Sequence, residues 1–88
     1  MLTFDPAFHS DGVLGCVLWA DEPKMKRVCF YIGSTVLQDV LRGGNPVHDA
    51  ANLALCERNR ERIEAACRRA FADRPGERAD LEPHDFVD

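Results

Sequence analysis

The longest periodic pattern of apolar residues lies in residues 46–73. Apolar side chains recur there at spacings of three and four residues, which predicts one long α-helix with a single apolar face. Asn45 suits the N-cap position and Pro46 the first helical position, and residues 74–76 (Arg-Pro-Gly) would end the helix. The apolar face consists of Leu53, Cys56, Ile63, Cys67, Ala70 and Phe71.

Two shorter apolar runs predict a β-hairpin. Residues 13–19 are apolar at nearly every position, and apolar side chains alternate in residues 27–32, with Cys29 and Tyr31 on one side. Residues 20–24 (Ala-Asp-Glu-Pro-Lys) between the two runs predict the turn. Residues 2–4 predict an edge strand before the hairpin, so the N-terminal part of the chain supplies three strands.

A short helix and a further strand complete the predicted elements. Ser34 can cap a short helix that ends at residues 42–44, and residues 78–81 form a fourth strand if their acidic side chains allow it. The order is β-β-β-α-α, with an additional β if that strand forms. This order predicts an α+β fold in which a small antiparallel sheet packs with one short and one long helix. The short helix has an apolar stripe of Val36, Leu37, Val40 and Leu41.

Length and charge restrict the classes of function. The chain has 88 residues, 45% of them apolar, and no linker, so residues 1–88 are expected to form one small domain. The formal net charge of −4 argues against general binding to nucleic acid or to anionic membranes. No apolar run approaches the length of a membrane span, and the N-terminus lacks the regions of a signal peptide. We therefore expect a cytoplasmic protein.

The cysteines and histidines are the candidates for metal or catalytic chemistry. No Cys-x-x-Cys pair occurs, and no spacing brings a thiol to an imidazole or gives a metal-site pattern. We therefore expect reduced cysteines that pack as small apolar residues, no metal or other cofactor, and no enzymatic activity. A weaker alternative is that the N-terminal end of the long helix binds an anion. The residues concerned are Cys16, Cys29, Cys56, Cys67, His9, His48 and His84.

Three arginines of the long helix form a basic stripe. Arg58, Arg62 and Arg69 fall within about 40° of one another on a helical wheel, beside a stripe that contains several glutamates. The surplus of positive charge is small, which favours a solvated face. The alternatives are contact with an acidic protein partner and contact with nucleic acid. A nucleic-acid-associated regulator is accordingly the second functional hypothesis, after a non-enzymatic interaction module.

The hairpin offers a candidate surface for self-association. Its first strand is apolar on both faces, whereas two helices usually cover only one side of a small sheet. Trp19 and Tyr31 are the residues expected on an exposed apolar patch, which would make the protein a homodimer. The alternative is that the N-terminal segment, with Phe4 and Phe8, folds over that face.

Arg60 falls within the apolar arc of the long helix. The side chain at such a position must either extend along the core until its guanidinium reaches solvent at the edge, or have its charge bound by a carboxylate and backbone carbonyls. Asp85 is the expected partner, because the neighbouring Phe86 would anchor the C-terminal segment in the core. This ion pair would have a structural role, with an anionic ligand of Arg60 as the alternative.

The order and spacing of several segments resemble the small bacterial family called domain of unknown function 1488. The resemblance covers almost the whole chain, including residues 2–4 and 17–19. It implies a stand-alone α+β domain of bacterial, cytoplasmic origin, and it implies no activity. The other segments that carry it are residues 28–32, Val36-Leu37, Asn59-Arg60, Ile63, Phe71, Leu81 and Asp85-Phe86.

Overall fold

The structure, a computed structural model, describes residues 1–12, 15–42 and 49–86. It combines a five-stranded sheet with two main helices, which confirms the α+β class. The elements are β1 (Thr3–Phe4), β2 (His9–Ser10), β3 (Cys16–Glu22), β4 (Lys26–Ile32), a short π-helix (Val36–Val40), α1 (Asp49–Arg58), α2 (Arg60–Asp73), β5 (Arg78–Asp80) and a 3-10 turn (Pro83–Asp85).

The sheet has the order β1-β3-β4-β5, and β2 pairs with another part of β3. The edge strand at the N-terminus and the strand after the helices are both confirmed. All pairs are antiparallel except β4 with β5, which are parallel. The expectation of an antiparallel sheet is wrong for that pair. The helices lie between β4 and β5 in the chain, and a crossover of that length can return the chain to the sheet in the parallel direction.

The hairpin turn lies later than expected. β3 continues through the predicted turn to Glu22, and residues 23–25 form the connection. Glu22 is buried, and its carboxylate accepts the backbone N–H groups of Lys24 (2.8 and 3.0 Å) and Met25 (3.2 Å). The hydrogen bond from Lys24 is the main reason that the pKa of Glu22 is lowered. Glu22, which the sequence places in the turn, is therefore the last residue of β3, and its carboxylate stabilises the turn that follows.

The inner face of the hairpin forms the core with the helices. Six alternate residues of β3 and β4 point inward and are at most 1% exposed. The predicted helical face packs against them: each of its six residues is buried or partly buried. The inward-pointing residues of the two strands are Cys16, Leu18, Ala20, Val28, Phe30 and Ile32.

The predicted long helix is two helices that meet at Asn59. The Asn59 side-chain amide donates to the Leu55 carbonyl (2.9 Å), its backbone N–H donates to Leu55 and Cys56, and its φ of −112° is not helical. An asparagine side chain can in this way compete with backbone N–H groups for a helical carbonyl and interrupt the helix. A periodic apolar pattern does not reveal such an interruption. The expectation of one uninterrupted helix is therefore wrong. The expected N-cap, Asn45, and Pro46 lie outside the described residues.

The short helix is wider than an α-helix. The Leu41 N–H donates to the Val36 carbonyl, five residues back (3.0 Å), which is the π-helical pattern. Val36, Leu37 and Leu41 of the predicted stripe are buried and Val40 is partly buried. Thr35 rather than Ser34 occupies the N-cap position, without a side-chain hydrogen bond. The stripe is confirmed and the cap is not.

Lys26 is a position where glycine should stabilise the protein. Its φ is +71°, and the Arg27 N–H donates to the Met25 carbonyl (2.9 Å), which makes Lys26 the centre of a γ-turn that is unfavourable for an L-residue. We expect Lys26→Gly to raise the free energy of unfolding by about 0.5–1 kcal/mol, measured by urea denaturation. Lys24→Gly is the control and should lower it by a similar amount, since Lys24 lacks a positive φ. Equal losses in the two variants would contradict this account of the turn.

Candidate functional site

The face of the sheet opposite the helices carries four partly exposed side chains, Val17, Trp19, Cys29 and Tyr31, which we call the outer face. In the register of β3 with β4, Trp19 pairs with Cys29 and Val17 with Tyr31. The two rings therefore share a face as diagonal neighbours, as the sequence predicts. The buried residues of α2 belong to the core on the other side of the sheet.

Two arginines lie over the rings of the outer face. The guanidinium carbon of Arg27 is 5.3 Å from the centroid of Trp19, and that of Arg78 is 5.1 Å from the centroid of Tyr31. A guanidinium at this distance is attracted to the ring and shields part of it from water. Sequence reasoning missed both arginines. The alternation of residues 27–31 places Arg27 on the same side of the strand as Tyr31, so its position could have been predicted. The position of Arg78 depends on how β5 pairs, which the alternation does not show.

Aspartates lie beside both of these arginines. Arg27 makes a two-pronged contact with the carboxylate of Asp5 (2.8 and 3.0 Å) and a further bond to Asp21 (2.9 Å). The hydrogen bond from Arg27 is the main cause of the lowered pKa of Asp5. Arg78 lies 3.7 Å from the carboxylate of Asp80. Each arginine of the outer face thus has an acid beside it, and the face carries nearly balanced charge around an apolar centre.

The outer face is concave on both sides of Arg78. An open depression of about 580 Å³ contains Trp19, Cys29 and Arg27 among its lining residues. A second one, of about 540 Å³, is lined by Tyr31 and by residues that follow β4 and β5. Arg78 lines both depressions. Arg78 therefore lies between two open depressions.

The N-terminal aromatic residues lie on the opposite side of the sheet. The ring of Phe4 is 6.3 Å from that of Phe30 on the inner face, and Phe8 is buried in the core. The alternative in which these two residues fold over Trp19 and Tyr31 is therefore wrong. The reason is the register of β1, since Phe4 pairs with Ala20, whose side chain faces inward.

Arg60 does not pair with Asp85. Its guanidinium donates to the carboxylate of Glu64 (3.0 Å), to that of Glu57 (3.2 Å) and to the carbonyls of Asp5 (3.3 Å) and Pro6. It also lies 4.7 Å from the centroid of the Phe8 ring. The predicted ion pair is wrong because residues three and four positions away on the helical surface are nearer than the C-terminal segment. Arg60 holds the N-terminal segment instead.

Asp85 is held by the end of α2. Its carboxylate is 2% exposed and accepts from Arg74 (2.8 and 3.3 Å) and from the Glu82 N–H (2.9 Å). Arg69 donates to the Asp85 carbonyl (2.8 Å). Burial acts to raise the pKa of Asp85, but the hydrogen bonds outweigh it and the pKa is lowered. The arginine that binds the Asp85 carboxylate is Arg74, the residue that follows α2, and not Arg60.

The predicted basic stripe is divided between two helices. Arg58 is the last residue of α1, whereas Arg62 and Arg69 belong to α2. Arg58 and Arg62 line one open depression of about 390 Å³, together with Glu57 and Glu61. Arg69 is not among its lining residues, and its guanidinium bonds to the C-terminal segment. The structure therefore brings two of the three arginines together, with two acids beside them.

The four cysteines are free thiols, and all but Cys29 are buried. Among the described residues, no three His, Cys, Asp or Glu side chains are grouped so that they could hold a metal ion. His9 and His84 are exposed, and His48 lies outside the described residues. Within the same part of the chain, no helix has the length and apolar content needed to cross a membrane.

Comparison of the chain with family models, with curated proteins and with solved structures found no match. The resemblance to domain of unknown function 1488 therefore stays a prediction.

Replacing Arg60 should destabilise the protein more than replacing an exposed arginine. Arg60→Ala removes the donor for two carbonyls and two carboxylates and the contact with Phe8, so we expect a loss of roughly 1.5–3 kcal/mol in the free energy of unfolding. Arg58→Ala is the matched control, because Arg58 is exposed, and should cost less than about 0.5 kcal/mol. Urea denaturation measures both values, and equal losses would contradict the role of Arg60.

Asp85 should contribute to stability in a pH-dependent manner. The pKa of Asp85 is lowered in the folded state. Its contribution to the free energy of unfolding is therefore complete when the pH is above the pKa of the unfolded state, about 3.9, and is lost as the pH falls through the pKa of the folded state. We expect Asp85→Asn to lose roughly 2–4 kcal/mol at pH 7 and to show a smaller further loss than the wild type between about pH 5 and pH 2.

Asp73→Asn is the control for this measurement. It removes an exposed carboxylate that contacts the same arginine, Arg74 (3.0 Å), but leaves the buried pair intact. Unfolding curves recorded at several pH values compare the three proteins. An Asp85→Asn variant with the stability and acid sensitivity of the control would show that the buried pair does not stabilise the fold.

Proposed function

We propose that this protein is a small, non-enzymatic interaction module that associates with a second copy of itself through the outer face. One observation carries the proposal: Trp19 and Tyr31 remain partly exposed on a sheet face that the helices of the described chain leave open. Tyrosine, tryptophan and arginine are enriched at protein interfaces, and this surface concentrates all three. The expected cytoplasmic location rests on the sequence alone.

The charges of this surface favour a protein partner over a polyanion. Arg27 and Arg78 each have an aspartate beside them, so a phosphate backbone would meet negative charge next to both arginines. A second copy would present both arginines and aspartates, so positive groups of one copy could face negative groups of the other. A two-fold axis uses one patch twice, so a face with balanced charge and an apolar centre can complement itself.

The size of the sheet predicts weak association. β3 and β4 have seven residues each and the sheet is four strands wide, so the face measures roughly 20 Å by 15 Å and would bury on the order of 600 Å² in total. Stable interfaces usually bury about 1,200–2,000 Å². We therefore expect a dimer that forms with a dissociation constant on the order of 100 μM and dissociates readily.

Sedimentation equilibrium of the wild-type chain between about 10 μM and 1 mM tests the proposal. We expect the mass to rise from that of a monomer towards that of a dimer. Val17→Glu places a charge on the outer face and should weaken association at least tenfold, whereas Ala54→Glu, at an exposed position of α1, should not. A monomeric mass at the highest concentration, or equal association of both variants, would contradict the proposal.

A second variant distinguishes weakened association from unfolding of the protein. Asp80→Lys changes an exposed residue at the rim of the outer face, so it should fold normally yet weaken association by removing charge complementarity. Circular dichroism establishes that each variant is folded. If Asp80→Lys associates as tightly as the wild type, the surface of contact lies elsewhere.

A nucleic-acid-associated role remains the alternative, and Arg58 and Arg62 are the residues that would carry it. Titration with a labelled single-stranded oligonucleotide at several salt concentrations separates the two functions. We expect no measurable binding. Binding that weakens steeply with salt and is lost when both arginines become glutamate would favour the alternative. Arg69 is left unchanged in this experiment, because it bonds to the C-terminal segment.

A further inference from the structure

β5 is the last strand of the sheet, and no strand of the described residues pairs with its second edge. β4 donates to the Glu77 carbonyl (2.8 Å) and accepts from the Leu81 N–H (2.9 Å). Because main-chain groups alternate in direction along a strand, those of Arg78 and Asp80 face the open edge. In the part of the chain that the structure describes, only the Asp80 carbonyl among these groups has a hydrogen-bond partner, Arg74 (3.3 Å).

We propose that this open edge pairs with the same edge of a second copy, as two antiparallel strands related by a two-fold axis at Ala79. In that register Arg78 of each copy lies opposite Asp80 of the other, and each such pair exchanges two main-chain hydrogen bonds. The Asp80 carbonyl can accept this bond in addition to that of Arg74, because a carbonyl oxygen has two lone pairs. The two sheets then continue across the axis.

The side chains of the edge complement each other in this register. Arg78 and Asp80 are 66% and 70% exposed, and they lie on the same face of the sheet. Across the axis each arginine meets an aspartate, whereas a shift by two residues would place two arginines or two aspartates opposite each other. Charged side chains usually protect an edge strand from pairing. The order Arg-Ala-Asp does not give that protection against a second copy of itself.

The edge contact goes beyond the association through the outer face and is separate from it. Val17 lies on β3, and β4 separates that strand from β5. Val17→Glu should therefore weaken the outer-face contact and leave the edge contact intact. β5 has only three residues, so we expect the edge pairing to be the weaker contact, with a dissociation constant above about 1 mM.

A synthetic peptide tests the pairing without a second folded copy. It has the sequence of residues 76–82, Gly-Glu-Arg-Ala-Asp-Leu-Glu, with both ends blocked. The control peptide exchanges its arginine and aspartate, so the composition is the same but like charges would lie opposite each other. Each peptide is titrated into the wild-type protein at about 20 μM and followed by amide NMR. We expect shifts at Arg78 and Asp80, and binding of the control peptide that is roughly fivefold weaker.

The double variant Arg78→Asp, Asp80→Arg reverses the charges of the protein edge and should reverse the preference between the two peptides. Circular dichroism establishes that the variant is folded, and the two titrations of the wild-type protein decide the question if it is not. Equal binding of both peptides to the wild-type protein, or shifts confined to the outer face around Trp19, would overturn the edge pairing.

Hydrogen exchange in the Val17→Glu variant tests whether a second copy occupies the edge. Pairing protects the amides of Arg78 and Asp80, so we expect their exchange to slow at least twofold between about 0.1 mM and 3 mM protein, with other amides unchanged. Exchange that does not depend on concentration would overturn the pairing between copies. This result is independent of the proposed function, because Val17→Glu has already weakened the contact through the outer face.

Discussion

Leu18 and Phe30, at the centre of the inner face, are fully buried, and their burial against the helices is the interaction that the rest of the structure depends on. A chain of this length supplies too little helical surface to cover a second face of the sheet. The outer face is instead covered by arginines of the sheet itself. Arg27 and Arg78 shield the two rings only in part, which leaves an apolar centre within a charged rim.

Arginines also hold the ends of the chain. Arg60 binds carbonyls of the N-terminal segment, and Arg74 binds the buried carboxylate of Asp85 near the C-terminus. A planar guanidinium with five donors can satisfy several acceptors at once, which an ammonium group cannot do as well. The terminal segments also bury apolar side chains, among them Phe8 and Leu81, so polar and apolar contacts together determine where these segments lie.

The sequence predicts the elements that depend on local periodicity. The apolar face from Leu53 to Phe71, the two sides of the hairpin and the shared face of Trp19 and Tyr31 all follow from the spacing of apolar residues. The break at Asn59 does not, because a side chain that bonds to a backbone carbonyl leaves the apolar period unchanged. Helical spacing could have shown the carboxylate partners of Arg60, since Glu57 and Glu64 lie three and four residues away. The contacts of Arg60 with the N-terminal carbonyls and the parallel direction of β5 depend on how distant segments pack, which spacing along the chain does not encode.

We propose that the protein associates through the outer face. Amide and indole NMR spectra recorded from about 20 μM to 1 mM test this proposal most directly, because they report on residues throughout the chain at once. We expect concentration-dependent shifts at Val17, at the Trp19 indole and at Tyr31, with the amides of α2 unchanged. Spectra that do not depend on concentration, or shifts confined to the helices around Arg58 and Arg62, would contradict the claim.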